Sequence, residues 1–409
     1  MPKIITDPEK IKKLLARGVE EIIVKKDLGE KLKSGKRLRI KLGVDPSRPD
    51  IHLGHFVVLK KLKEFQDMGH QAVFIIGDFT GMIGDPSGKS KTRPALSKEE
   101  VLKNAKTYFD QAGKILNFKK IEVRYNSTWF CAMGWEDILK LVSKFTVARI
   151  LERDDFSKRL KSGNDIAISE IMYPIMQAYD SIEVAADVEL GGTDQKFNML
   201  AGRDLQRKMN LPEQNIITVP LLVGLDGAQK MSKSLDNYIG VAENANSMFG
   251  KIMSIPDSLI TNYFTLLTDL SDEELEKIKA DLKNPKINPR DMKVRLAKEI
   301  ITFYHSQKSA EAAETEFNKV FRDKGVPSEI PEIKISEKTS CSKQGRTMSV
   351  LDLLVKTKLV SSKSEAKRLV EGRAVEINGK TISGWKKVVE IKNGMVIRAG
   401  KRRFARITV

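Results

Sequence analysis

Two short segments, far apart in the chain, carry residue types suited to one kind of chemistry. His52-Leu53-Gly54-His55 sets two imidazoles three residues apart at the start of an apolar stretch, directly after a run that reads as a strand. Lys230-Met231-Ser232-Lys233-Ser234 is a lysine-rich segment between Gly227 and Leu235 that reads as a mobile loop. Residues three apart share a face of a helical turn, and a helix start offers unpaired backbone N–H groups to an anion. Neutral imidazoles placed there can donate hydrogen bonds to phosphoryl oxygens as charge moves onto a departing pyrophosphate. Lysines on flexible stems can fold over a triphosphate, and they accelerate a reaction when their contacts form only as the leaving group separates. Bland readings stand beside these. An isolated HxxH is ordinarily a capping or packing pair, and two lysines on a loop are ordinarily solvated. Gly54 favours close backbone approach by a ligand, at some cost to the helix. A structural zinc pair fits poorly, because the chain has four histidines in all, no paired cysteines and no HExxH.

A second constellation is Tyr173, Gln177 and Asp180, at i, i+4 and i+7, which lines one face of a helix with apolar neighbours Met172, Ile175, Met176 and Tyr179 around it. Such a stripe can be an exposed face or the wall of a pocket. A buried aspartate in such a wall can accept a hydrogen bond from a ligand hydroxyl and reject the analogue lacking it by roughly 10⁴–10⁵. Gly84-Asp85-Pro86-Ser87-Gly88-Lys89 is glycine-rich and ends in lysine, but it is one residue too short for a P-loop and reads as a turn that places Asp85.

The elements that position these residues follow from periodicity. Arg37–Val44 alternates as a strand, His52–Met68 reads as a helix, and Gln71–Ile76 as a second strand ending in Gly77-Asp78. That βαβ spacing predicts a parallel sheet with ligands at the carboxyl ends of its strands. Further strands are expected at Lys120–Tyr125, Val184–Leu190 and Asn215–Val219, and residues 8–33 read as helical. From Asn244 to Lys324 the pattern is helical, with Asp272–Leu282 and Met292–Ser306 the clearest segments. A Pro- and Ser-containing linker follows, then short helices at Ser349–Lys356 and Lys363–Glu371, and then short strands between glycines.

With 409 residues, 41% hydrophobic and 31% charged, the chain has the composition of a soluble globular protein of two or three domains. Cys131 and Cys341 are far apart and suit a reducing compartment. The N-terminal residues lack the apolar core of a signal peptide, and no 18-residue apolar window occurs, which argues against secretion and membrane spanning. The formal charge of +18 favours a polyanionic partner. From Arg346 to Val409 there are 16 Lys/Arg against 5 Asp/Glu, so +11 of that charge sits in the last 64 residues. Lys363, Lys367, Arg368 and Arg373 cluster around a helix and turn, and Lys401, Arg402 and Arg403 follow near the end; such clusters position RNA through its phosphates.

His52-Leu53-Gly54-His55 and Lys230-Met231-Ser232-Lys233-Ser234 resemble the two signatures of class I aminoacyl-tRNA synthetases. Leu42-Gly43-Val44-Asp45-Pro46, Gly84-Asp85-Pro86-Ser87-Gly88, Tyr173-Pro174-Ile175-Met176-Gln177-Ala178-Tyr179-Asp180 and Gly191-Gly192-Thr193-Asp194-Gln195 narrow the resemblance to bacterial tyrosyl-tRNA synthetases, over nearly the whole chain. The resemblance implies an α/β chain with a Rossmann-like catalytic domain (1–240), an all-helical anticodon-recognition domain (241–325), a linker (326–345) and a basic α+β RNA-binding domain (346–409). It implies catalytic roles for His52, His55, Lys230 and Lys233, and ATP contacts from Gly54, Gly192, Asp194, both lysines, Lys89 and Arg93; the last two can equally be solvated loop residues. Tyrosine would be held by Asp45, Asp85, Tyr173, Gln177, Asp180 and Gln195. ATP would enter with Mg²⁺ as a substrate complex, with no tightly bound protein metal, and the tyrosyl group would pass to the terminal adenosine of tRNA(Tyr). A cytoplasmic homodimer is implied, and Trp129–Val147 carries enough apolar residues for its interface or for the monomer's own core. One position departs from the better-known bacterial branch: a strand tyrosine that touches the substrate hydroxyl there is Lys41 here. Either Lys41 points elsewhere, or its ammonium assists the phenol. Two rival readings are a tryptophan-activating enzyme of the same fold and a non-enzymatic RNA-binding or splicing-accessory protein; the complete histidine and lysine motifs argue against the latter.

Overall fold

The computed structural model describes residues 3–47, 49–87, 96–322, 330–335, 347–400 and 403–409. Lys89, Arg93, Lys401 and Arg402 lie outside the described residues. The chain divides into two compact units, 1–310 and 311–409.

The first unit is built on a six-stranded sheet of β1 (Glu21–Ile23), β2 (Arg39–Val44), β3 (Gln71–Ile76), β4 (Glu122–Tyr125), β5 (Val188–Gly192) and β6 (Asn215–Val219), in the order β1-β6-β5-β2-β3-β4. All neighbours run parallel except the edge strand β1, which is antiparallel to β6. β3 and β6 are buried along most or all of their length, consistent with apolar runs covered on both faces. β2 lies between β3 and β5, so the connections leave it to one side and return on the other. This reversal opens a crevice at the carboxyl ends of the strands.

Helices flank the sheet where their caps are written in the sequence. Leu53–Asp67 starts at His52, Lys98–Ala112 starts with a reciprocal Ser97/Glu100 cap, and Ile168–Glu183 covers the pocket side of the sheet. After β6 come Ala245–Ile252, Ile260–Leu267, Asp272–Lys283 and Pro289–Tyr304. These helices belong to the same compact unit as the sheet, so the expected division at 240/241 does not separate two compact bodies.

Residues 8–33 are not one helical run. Helices Pro8–Leu14 and Lys25–Lys33 are separated by Gly18, at φ 63°, and by β1, where β-branched Ile22 and Ile23 complete the sheet edge. Lys61 ties the first of these helices down. Its ammonium, buried in the Leu53–Asp67 helix, donates to the carbonyls of Leu14 (2.9 Å) and Arg17 (2.8 Å) and pairs with Glu64 (2.6 Å).

In the second unit, β7 (Glu332–Lys334), β8 (Thr347–Ser349), β9 (Val375–Ile377), β10 (Lys380–Thr381), β11 (Val388–Glu390), β12 (Val396–Ala399) and β13 (Arg403–Thr408) form a five-stranded sheet, β10-β9-β12-β13-β7, and a β11-β8 pair. Helices Val350–Lys356 and Lys363–Glu371 pack on an apolar core that includes Leu353, Leu354, Val370, Ile397 and Ile407. β7 lies within the stretch expected to be linker and pairs in parallel with β13, so part of that stretch belongs to the terminal sheet. The signal was weak because only Ile333 and Ile335 alternate there.

Replacing Lys61 with Met removes the donor to two carbonyls at the end of a helix while keeping most of the side-chain volume. Urea denaturation should show a loss of about 2 kcal/mol, and an unchanged midpoint would show that the carbonyls find other partners.

Candidate active site

The carboxyl ends of four parallel strands line a cavity of about 300 Å³, with Leu42–Asp45 from β2, Gly77 just after β3, Gly191-Gly192 from β5 and Val219 from β6. His52, Gly54, His55, Asp85, Tyr173, Gln177, Asp180, Asp194, Gln195 and Lys230 also line it. Almost all the described residues singled out for nucleotide or amino-acid chemistry therefore meet in one place; Lys233 is not among the lining residues.

The two histidines form the start of the Leu53–Asp67 helix. His52 is its N-cap, the Gly54 N–H donates to His52 Nδ1 (3.2 Å), and the His52 N–H donates to His55 Nδ1 (3.3 Å). The capping and catalytic readings of the pair are thus compatible. Because each Nδ1 accepts from the backbone, the neutral rings carry their proton on Nε2 and keep it as a donor. Burial lowers the proton affinity of both, and for His55 the pKa falls to about 4. The rings are 3.9 Å apart, and a Cβ at Gly54 would stand 3.0 Å from the His52 ring. Gly54 is required for this close packing as well as for access.

The lysine segment reaches the same helix start through the chain that follows it. Leu53 N–H donates to Ile239 O (3.0 Å), and His52 bridges to Gly240. Lys230 forms an ion pair with Asp194 (2.6 Å), and the Lys233 ammonium donates to the carbonyl of Asp50. Asn237, which no motif or spacing marks, organises the turn: its Oδ1 accepts from Ser232 N–H (2.7 Å) and its Nδ2 donates to Asp226 (2.7 Å). The segment is less irregular than expected, since Lys233–Leu235 is a short 3₁₀ turn and Lys230 bridges to Val223.

Elsewhere in the cavity lining the acidic groups are held by named donors. Asp45 accepts from Thr80 Oγ1 (2.8 Å) and from the Tyr173 hydroxyl (2.8 Å). Asp85 accepts from the Ser87 N–H (2.8 Å) and from Gln195 Nε2 (2.7 Å). Gly77 makes room for Asp45, because a Cβ there would fall 2.0 Å from its Oδ1. Buried Asn198 donates to Gln177 Oε1 (3.0 Å) and Gln195 Oε1 (3.1 Å), setting both amides with their oxygens toward it. Asp180 is buried and accepts from Trp129 Nε1 (3.0 Å), with the Asn126 side chain as a further donor. Burial raises its pKa to about 7, partly offset by Lys41, Trp129 and Asn126.

Trp129, Asn126 and Asn198 are site residues that sequence reasoning missed. Trp129 looked like interface or core material, and no spacing marked its indole as the partner of Asp180. In the terminal unit, Lys363, Lys367, Arg368 and Arg373 are exposed around the Lys363–Glu371 helix. Lys363 pairs with Asp352 (2.6 Å), and Lys367 stands over the Trp385 ring at 4.7 Å. Arg403 is tied to Glu365 (2.8 Å) and to Leu359 O (2.6 Å), so it also braces the fold.

Residues 33–322 match the family model of class I tRNA synthetases (W and Y), and residues 328–407 match the tyrosine–tRNA ligase SYY-like C-terminal domain. The chain is 51% identical over 401 residues to the tyrosine–tRNA ligase of Thermotoga maritima, covering 98% of each chain. The chain belongs to the tyrosine–tRNA ligase family. The enzyme of the same name from Carboxydothermus hydrogenoformans is also 51% identical, over 96% of both chains. Among solved structures, tyrosyl-tRNA synthetase complexed with L-tyrosine from Archaeoglobus fulgidus shares the fold at a TM-score of 0.62, with 24% identity, covering 75% of this chain and 98% of that one. Family membership agrees with a crevice that joins a helix start, Lys230 and a buried carboxylate in one cavity.

Protonation removes the charge that makes Asp180 a strong acceptor and turns one of its oxygens into a donor, so full acceptor strength is present above about pH 7 and weakens below it. The histidines stay neutral throughout this range. In tyrosine-dependent ATP–pyrophosphate exchange, kcat/KM for tyrosine should fall roughly tenfold per pH unit below 7, and Asp180→Asn should abolish that limb. A profile flat down to pH 5 would rule out titration of Asp180.

Proposed function

We infer that this chain activates tyrosine with ATP to tyrosyl-adenylate and transfers the tyrosyl group to tRNA(Tyr), releasing pyrophosphate and then AMP. The observation that carries the reading is the pairing, in one cavity, of a buried carboxylate fixed by Trp129 with neutral histidine donors and a lysine at its other end. Asp180 accepts the phenolic hydroxyl, and the polar cluster of Asp45, Asp85, Tyr173, Gln177 and Gln195 holds the ammonium and carboxylate end. A site built around a hydrogen-bonded hydroxyl discriminates strongly against phenylalanine, because that ligand leaves the buried carboxylate without its partner.

The tyrosine carboxylate attacks the α-phosphorus of ATP, and the ribose hydroxyl of the terminal adenosine then attacks the acyl carbon and releases AMP. No protein nucleophile is required. The rate arises from alignment of the bound substrates and from charge stabilisation at the departing pyrophosphate. His52 and His55 donate through Nε2. Lys230 leaves Asp194 and Lys233 leaves Asp50 O when the triphosphate arrives, so their contacts strengthen as charge develops. ATP enters as its magnesium complex; Gly54 and Gly192 admit the nucleotide closely, and Lys89 and Arg93 serve the pyrophosphate end.

The protein acts in the cytoplasm as a homodimer. Trp135 (80% exposed), Leu139 (62%) and Val147 (63%) support this, being large apolar side chains on one stretch of the catalytic unit. Trp129, Phe130 and Leu141, from the same stretch, are buried and serve the monomer's own core. No helix among the described residues is long and apolar enough to cross a membrane. The helices after residue 241 take part in anticodon recognition, and the exposed cations of the terminal unit, with Lys401 and Arg402, position the tRNA backbone.

Pyrophosphate exchange should depend on tyrosine, and exchange supported by tryptophan instead would overturn the specificity. Sedimentation should give a dimer of the 46.0 kDa chain, and Trp135→Glu/Leu139→Glu should shift it to monomer with aminoacylation lost; a fully active wild-type monomer would refute the assembly. Because β7 belongs to the terminal sheet, a truncation should remove residues 326–409 together. That variant should keep pyrophosphate exchange and lose aminoacylation at limiting tRNA. For the full chain, tRNA affinity should fall by roughly 10³–10⁵ between 50 and 200 mM salt if 6–10 phosphates are contacted, and a salt-independent affinity would exclude the phosphate role.

A further inference from the structure

Lys41 is fully buried under the tyrosine pocket, on β2, directly beside Glu189 in the β2/β5 register. Its ammonium donates to Gln177 O (2.9 Å) and Ser181 Oγ (2.7 Å) and forms an ion pair with Glu189 Oε1 (2.9 Å). The ammonium is fully buried among these three partners, and Lys41 is not among the residues that line the cavity. Lys41 therefore does not hydrogen-bond the substrate hydroxyl, which settles the choice the sequence left open. Its partners nevertheless bracket Asp180: Gln177 lies one turn before it on the Ile168–Glu183 helix, and Ser181 immediately follows it.

Glu189 closes the arrangement from the neighbouring strand. It accepts from Gln177 Nε2 (3.2 Å), from Ser181 Oγ (3.3 Å) and from Gln214 Nε2. The pair thus grips both the main chain and the side chains of the turn that carries the specificity carboxylate. The Lys41 charge also opposes the effect of burial on Asp180.

We propose that Lys41 is a specificity-positioning residue: acting from beneath the pocket, it fixes the Gln177–Ser181 turn and supplies the positive charge that keeps the Asp180 carboxylate ready for the phenol without touching it. The inference rests on Asp180 as the acceptor of the phenol. The competing role is internal neutralisation of Glu189, in which Lys41 matters for stability alone.

A pair of variants separates the two. Lys41→Met leaves Glu189 buried without its countercharge and is expected to be strongly destabilised. Lys41→Met/Glu189→Gln removes both charges, and its thermal midpoint should recover most of the loss. In that double variant the KM for tyrosine should still rise about tenfold and the preference for tyrosine over phenylalanine should fall about tenfold, while the KM for ATP stays unchanged. Its acid limb should also move above pH 7. The charges acting on Asp180 are Lys41, which favours the carboxylate, and Asp45, which opposes it; Trp129 and Asn126 act as hydrogen-bond donors. With Lys41 gone, Asp45 and burial remain. Wild-type tyrosine KM, discrimination and acid limb in the recovered double variant would overturn the proposal. If the double variant does not fold, Ser181→Ala keeps the ion pair and removes one anchor; it should raise the tyrosine KM about threefold, and no change would equally overturn it. Unchanged tyrosine KM and unchanged preference over phenylalanine in Asp180→Ala would instead sink the phenol reading itself, whatever Lys41 does.

Discussion

The site exists because β2 is paired on both sides by parallel strands whose connections depart in opposite directions. A parallel sheet must bury both faces under helices, and only where the connections diverge is there room for a ligand at the strand ends. The loop after β2 brings Asp45, β3 brings Gly77, and β5 brings the Gly191-Gly192 pair, all to the rim of one cavity. The Leu53–Asp67 helix then points its start into the same space. Every later feature of the site is arranged around that opening.

Within it, the carboxylates are held by partners, whether buried as Asp180 is or half-buried as Asp45 and Asp85 are. Asp45 is satisfied by Thr80 and Tyr173, Asp85 by Ser87 and Gln195, and Asp180 by Trp129 and Asn126. Unpaired, each of these carboxylates would carry a large desolvation penalty. Paired, they keep fixed directions before any substrate arrives, which lowers the reorganisation needed during reaction. Lys230 differs. Lys230 is paired with Asp194 at a partly exposed position, so its partner can be exchanged for a phosphate at modest cost. The carboxylates are fixed in advance, whereas the Lys230 charge can change partners.

Signals that are local in sequence carried over closely. β3 and β6 have the expected bounds, and the Lys363–Glu371 helix matches residue for residue. Their apolar patterns are complete within a few residues, and their ends are marked by Gly77, by Pro220 or by the Ser362 cap and Gly372. The first 33 residues misled because a charged run hides β1, whose three residues become a strand only through pairing with β6, nearly two hundred residues away. β7 was missed for the same reason: its partner is β13 at the end of the chain.

By itself, the sequence determined which residues could handle a triphosphate, an aromatic amino acid and RNA. Motifs such as His52–His55 and Lys230–Ser234 are contiguous, and their residue types have few other joint uses. Tertiary structure alone decided what those residues face. It made Trp129 a hydrogen-bond donor to Asp180 rather than interface, gave Asn198 control of two glutamines, and turned Lys41 away from the ligand toward Glu189. Such pairings join groups from different strands and helices, and the geometry of a hydrogen bond between them is set by sheet register and helix packing, which no spacing along the chain encodes.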